Sequence, residues 1–203
     1  MIADFTSLSR VAKIEGEGLG TSYEYLAKSH ALIPFFRDIR PRKILIYGLP
    51  EKYGYSMDFL ILGLAFASQV LVVDEREEKL RALRSILKTV VVTLNLESKL
   101  LEKINIEHRN RYSIPEDEFD IILSCGTYQR FEKGERKLLT EALRERGKLC
   151  CLFAPNARNT AYRKISKLNT IELEELRSYF HKHEILSSGY IDCPPHAPGF
   201  SIR

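Results

Sequence analysis

A chain of 203 residues, 44% hydrophobic and 29% charged, can close one core without disulfide or metal staples, which excludes a disordered chain and a small crosslinked scaffold. The formal net charge of +4 comes from 31 basic and 27 acidic residues spread along the chain, so the overall charge is only weak evidence for a nucleic-acid partner. Cys125, Cys150, Cys151 and Cys193 lack metal-ligand spacing, and the first three lie in apolar runs; they read as reduced, mostly buried small hydrophobes.

Polar and apolar residues alternate from Met1 to Lys13 without an apolar h-region, so no secretory signal is expected. Glu15 to Gly20 reads as a flexible loop, after which Thr21 or Ser22 caps a helix with Tyr25, Leu26, Ile33 and Phe36 on its apolar side, and the glycine-rich stretch Glu15 to Tyr23 is either a plain lead-in or a lid. Residues 1–40 are thus a lead-in and cap helix, and 41–203 the main part of one compact domain.

Beyond Pro41, Lys43 to Tyr47 is a short apolar run ending at Gly48, which predicts a buried parallel strand. A helix over Ser56 to Ala67 and a second strand over Gln69 to Val73 follow. The apolar stretch Phe59 to Val73 is broken by Ser68 and Gln69 and is shorter than the roughly 20 residues that span a bilayer. No membrane partner and a cytoplasmic location are expected.

Residues 76–103 read as helical, with strand propensity in the run Thr89 to Thr93. Strands are expected at Asn105 to His108, Phe119 to Ser124 and Leu149 to Phe153. The charged stretch Glu132 to Arg146 reads as a helix with Leu138, Leu139, Ala142 and Leu143 inward. A helix near Leu173 to Lys182, a strand over Glu184 to Ile191, a proline-dense turn from Cys193 to Gly199 and a short closing strand at Phe200 to Arg203 complete the reading. Sustained strand-helix alternation predicts an α/β, Rossmann-like doubly wound, mostly parallel sheet of six to seven strands, with helices on both faces and a short N-terminal helical cap.

In such sheets ligands bind beyond the carboxyl ends of the strands, near the point where strand order reverses. After strand 1 comes Gly48-Leu49-Pro50-Glu51-Lys52-Tyr53-Gly54. Its glycines let a backbone approach a ligand, or simply make a strand-to-helix turn. The spacing is not the dinucleotide GxGxxG. Strand 2 ends in Asp74 and Glu75; an aspartate there either caps the next helix or accepts both hydroxyl protons of a ribose.

With these residues the sequence resembles the class I S-adenosylmethionine-dependent methyltransferases, and more narrowly the archaeal methyltransferase type, over roughly residues 20 to 200. The resemblance implies that Gly48, Leu49, Pro50 and Gly54 lie under the methionine part of the cofactor and that Asp74, with Glu75 beside it, holds the ribose. Asn110 and Arg111, followed by Ile114-Pro115 and Phe119-Asp120, fall in the register where the family binds adenine, with Asn110 replacing an aspartate. Ser124 and Cys125 occupy the strand 4 end where the family makes backbone contacts to the cofactor, and Ala154-Pro155-Asn156 matches its strand 5 end. Pro50 and Lys52 stand where glycines are usual.

By position, Tyr23 is expected near the methionine end. If the acceptor must lose a proton, His30, His196, Tyr23 and Tyr128 are the candidate bases, although transfer from a sulfonium depends mainly on in-line placement. The implied activity is methyl transfer to an acceptor the sequence does not identify: a small molecule, RNA or protein. Basic clusters at Arg37, Arg40, Arg42, Lys43 and at Arg158, Arg163, Lys164, Lys167 keep RNA among these. Two other readings stand beside it, a non-catalytic scaffold that retained the fold and an NAD(P)-dependent oxidoreductase.

Overall fold

The computed structural model describes residues 4–157 and 169–191. Five strands, β1 (Lys43–Tyr47), β2 (Gln69–Asp74), β3 (Ile104–His108), β4 (Phe119–Cys125) and β5 (Gly147–Phe153), form one sheet in the order β3-β2-β1-β4-β5. Every pairing is parallel. Lys43 to Tyr47 runs beside Gln69 to Val73, and Ile44 to Ile46 beside Ile121 to Leu123. The chain fills one side of β1 with β2 and β3, then crosses to its other side for β4. That reversal places the switch point at the carboxyl ends of β1 and β4.

The period-2 geometry of a strand sorts its apolar residues onto two cores. Ile44 and Ile46 of β1, Val70 and Val72 of β2 and Ile121 and Leu123 of β4 pack with α1 (Phe5–Ile14), α2 (Leu19–Ile39), α3 (Met57–Phe66) and α4 (Glu77–Thr93). Leu45, Tyr47, Leu71, Val73 and Ile122 face the other way, onto α5 (Lys133–Arg146) and the segment carrying Ile171 and Tyr179. Both faces are covered, so these strands read as continuous apolar runs rather than alternating ones. Eight consecutive residues of α3, Met57 to Leu64, are buried, because this helix lies between the sheet and α2.

Several expectations are corrected. The described residues contain five strands, not six to seven: Glu184 to Ile191 is a 3-10 turn at Lys182–Glu184 followed by irregular chain. The closing strand at 200–203 and the proline-dense turn, with Cys193 and His196, lie outside the described residues. The N-terminal cap is two helices. Asp4 caps the first by accepting from the Ser7 amide at 2.9 Å, and the second starts at Leu19 behind Gly18. Thr21 and Ser22 therefore lie inside α2, fully buried. Helicity after β2 ends at Thr93, and a 3-10 helix (Ser98–Lys103) leads into β3. Leu138 is 67% exposed, since the inward stripe of α5 runs through Arg136, Leu139, Thr140 and Leu143.

Candidate functional site

Gly48 leaves β1 with φ +73, and its amide donates to Val73 O at 2.8 Å, tying the loop to β2. A Cβ there would lie 2.5 Å from both Thr127 branches and 3.0 Å from Arg130 Nη2. Glycine is therefore required twice, for the left-handed backbone and for the close approach of the chain after β4. Leu49 is buried and its amide donates to Asp74 Oδ2 at 2.6 Å. Pro50 packs on Gly126, whose φ is +66. The loops after β1 and β4 thus meet at the switch point.

Asp74 is 3% exposed. Its Oδ1 accepts from the Arg76 amide and Nε, each at 2.8 Å; its Oδ2 accepts from Leu49 N, from Arg76 Nη2 at 2.9 Å and from Arg130 Nη2 at 3.4 Å. Burial alone would raise its pKa, but the Arg76 and Leu49 hydrogen bonds and the Arg130 charge outweigh it and hold the carboxylate below its ordinary value. Glu75 is bracketed by Arg130 Nη1 at 2.7 Å and by Arg111, whose Nε reaches Oε2 at 2.9 Å and whose Nη2 reaches Oε1 at 3.1 Å. Arg76 continues outward to Glu51 at 2.7 Å and to Leu49 O at 2.8 Å. Three carboxylates and three guanidinium groups form one network of zero net charge.

A second cluster lies under the switch point. Lys28 on α2 is 1% exposed, with Nζ 3.1 Å from Asp58 Oδ2, 3.2 Å from Glu24 Oε1 and 3.4 Å from Cys125 Sγ. The rings of Tyr25 and Phe59 cover the ammonium at 5.0 and 4.9 Å. Burial pushes Asp58 up to about 6 despite Lys28, and pushes the Cys125 thiol up to about 12. Burial also opposes the charge on Lys28, but the surrounding acidic groups hold it above its ordinary value. Glu24, Lys28, Pro50, Tyr53, Cys125 and Gln129 line one end of an open cleft of about 1550 Å³ that continues along β5.

The structure brings together Gly48, Leu49, Asp74, Glu75 and Arg111 of the expected cofactor residues, with Pro50 at the margin. Ser124 is buried at the end of β4 with its Oγ unpartnered, and Cys125 belongs to the Lys28 cluster. Asn110 is exposed and lines a shallow pocket with Glu107, His108, Arg109 and Ser113. Two residues fall elsewhere. Gly54, at φ +88, packs on Tyr25: a Cβ there would meet the phenol oxygen at 2.1 Å. Tyr23 is 44% exposed with its ring on Phe5 at 4.7 Å. The glycine-rich segment expected as either a lid or a plain lead-in is clamped against the loop before α3 and against α2, where Glu15 accepts from Tyr55 N and the Tyr25 hydroxyl and Glu17 from Gly54 N.

Among the candidate bases, His30 is exposed and Tyr128 is buried with its hydroxyl on Thr140 at 2.8 Å, where burial raises its pKa. Neither faces the switch point with a free proton acceptor. Sequence reasoning missed Arg76, Arg130, Lys28 and Asp58. Arg76 lies two residues past Asp74, and Glu24 and Lys28 have the i,i+4 helical spacing. Arg130 and Asp58 carried no such signal.

No protein-family model and no curated protein sequence matches the chain. Among solved structures, it is similar to magnesium protoporphyrin IX methyltransferase from Synechocystis PCC 6803 with bound SAM, with a TM-score of 0.56 at 9% identity over 85% of this chain and 77% of that one. The same enzyme with bound SAH gives a TM-score of 0.52 at 12% identity over 76% and 71%. At such identities the likeness is one of architecture: the chain has an α/β Rossmann-like fold with a parallel five-stranded sheet.

Proposed function

We propose that this chain is a class I S-adenosylmethionine-dependent methyltransferase acting on an acceptor still to be identified, whether small molecule, RNA or protein. The observation that carries the reading is Asp74, a buried carboxylate at the carboxyl end of β2, bonded to the amide of Leu49 in the loop leaving β1, beside the switch point of a β3-β2-β1-β4-β5 sheet. Similarity to solved methyltransferases supports the fold. The narrower archaeal type rests on sequence resemblance alone. On this reading Asp74 takes the ribose hydroxyls, the backbone at Gly48 and Leu49 approaches the methionine part, and Asn110 offers a neutral oxygen to the adenine amine. The cofactor supplies an electrophilic methyl group when bound; the protein's task is in-line placement of the acceptor.

The side chains do not receive the cofactor in the conformation described. Both oxygens of Asp74 are occupied by the chain's own donors, and Thr127 and Arg130 fill the space above Gly48. That observation also favours a second reading, a non-catalytic protein in which the arginine network replaced the ligand. The test is thermal unfolding with S-adenosylmethionine or S-adenosylhomocysteine. Ligand binding to the native state raises the midpoint, and Asp74→Ala abolishes the rise if the methyltransferase reading holds. No rise with either compound at millimolar concentration sinks it in favour of the second reading.

A further inference from the structure

We propose that Arg130 is a latch: seated against Gly48 and bonded to Asp74 and Glu75, it holds the ribose seat closed and must swing aside before an adenosyl ligand binds. The proposal rests on the cofactor reading above. It begins with an accounting of acceptors. A carboxylate offers about four lone-pair sites, and Asp74 meets five donors: Leu49 N, three from Arg76, and Arg130 Nη2. A ribose diol, which needs two acceptors, finds none free.

These donors are not equally fixed. Leu49 N and Arg76 N belong to the backbone, and the Arg76 side chain is anchored at its far end by Glu51 and Leu49 O. Arg130 comes from 56 residues away and makes the longest of the five contacts, 3.4 Å. It is also the least satisfied, because its Nε is buried without a hydrogen-bond partner and its guanidinium is largely desolvated. Its Nη2 lies 3.0 Å from where a Cβ on Gly48 would project, so it fills the space this glycine leaves open.

The backbone that carries Arg130 is held by its buried neighbours Thr127, Tyr128, Gln129 and Phe131, so the swing is one of the Arg130 side chain alone. Gly126, in the left-handed conformation, comes directly before Thr127 and the 3-10 turn Tyr128–Arg130. Glu75, itself held by Arg111, accepts from Arg130 Nη1 at 2.7 Å, a short charge-assisted contact about which the guanidinium can pivot off Asp74. In the closed state the network is neutral; opening clears the space above Gly48 and takes away the fifth donor, so that the diol competes for Asp74 only with the side chain of Arg76. A ligand that binds only the open state shows an affinity reduced by the open fraction, so removing the latch tightens binding.

The test is calorimetric titration of S-adenosylhomocysteine into the full chain. Arg130→Ala is expected to bind at least tenfold more tightly than wild type, and Asp74→Ala added to it to lose binding. Arg130→Met, which keeps the buried bulk of the side chain but cannot donate to Asp74, gives a gain in the same direction and keeps the test open if Arg130→Ala does not fold. Wild type binding as tightly as both variants, or more tightly, overturns the latch and leaves the cofactor reading standing. No binding to any variant at millimolar ligand sinks the cofactor reading, and the latch with it.

Discussion

Lys28→Met removes the only charge of its sign in contact with Asp58 in the described structure, while keeping the length and apolar bulk of the side chain. Asp58 is fully buried, and once the ammonium is gone its carboxylate has to protonate for the chain to fold. With the cation present burial already pushes Asp58 up to about 6. Holding it neutral at pH 8 therefore spans about two further pH units at about 1.4 kcal/mol each, a destabilisation of roughly 3 kcal/mol. This agrees with the roughly 3–5 kcal/mol seen when one partner of a buried pair is removed. At pH 5.5 Asp58 is largely protonated in both proteins, and the loss shrinks to about 1 kcal/mol or less from this source. Urea unfolding of wild type and Lys28→Met at the two pH values reads the difference, and Lys28→Met/Asp58→Asn should recover most of the loss at pH 8. Equal destabilisation at both pH values would refute the reasoning, because the cost would then be packing rather than charge.

Gly54→Ala strains a backbone at φ +88 and drives a methyl into the Tyr25 hydroxyl; a loss of more than about 2 kcal/mol in chemical denaturation is expected, and a neutral result would show that the Tyr25 contact is dispensable. Glu15 is pushed up to about 8 by burial, reinforced by the charges of Asp58 and Glu17, against hydrogen bonds from Tyr25 and Tyr55. A raised folded-state pKa gives stability that is full below the unfolded value and is lost as pH rises toward 8; Glu15→Gln should flatten the thermal midpoint across pH 5 to 8, and an unchanged slope counts against it. Asp74 has the opposite sign: its folded pKa is depressed, so its contribution is present above the unfolded value near 4 and lost as pH falls further. Acid unfolding of Asp74→Asn should be shallower than that of wild type below pH 4. Arg136 is buried and donates to Tyr128 O, Phe131 O and Glu175, so Arg136→Leu should cost roughly 3 kcal/mol or more by stranding those acceptors, read in the same denaturation series.

The strands and the switch point were legible because parallel strands covered on both sides leave short apolar runs punctuated by turn residues, as at Lys43 to Gly48 and Gln69 to Asp74. The described chain beyond Lys182 was not. Glu184 to Ile191 has the composition of a strand, yet strand pairing is decided by neighbours rather than by local propensity. Asp74 and Gly48 were found at strand ends, where spacing points to them. Their partners were not, because Arg130 reaches Asp74 across 56 residues and a long side chain on a 3-10 turn leaves no periodic trace. Gly54 has a packing role the sequence did not show: it was read as a ligand contact, and its absent side chain makes room for Tyr25. Lys28 was half legible: Glu24 and Lys28 share a helix face, but Asp58 joins them only through the packing of α2 on α3.

The most direct measurement is a crystal structure of the protein grown with S-adenosylhomocysteine. The account predicts the ribose hydroxyls within hydrogen-bond distance of Asp74, with Arg130 turned away from Gly48 and still on Glu75. Ligand bound elsewhere in the cleft, or none bound with the Asp74–Arg130 contact intact, would contradict it.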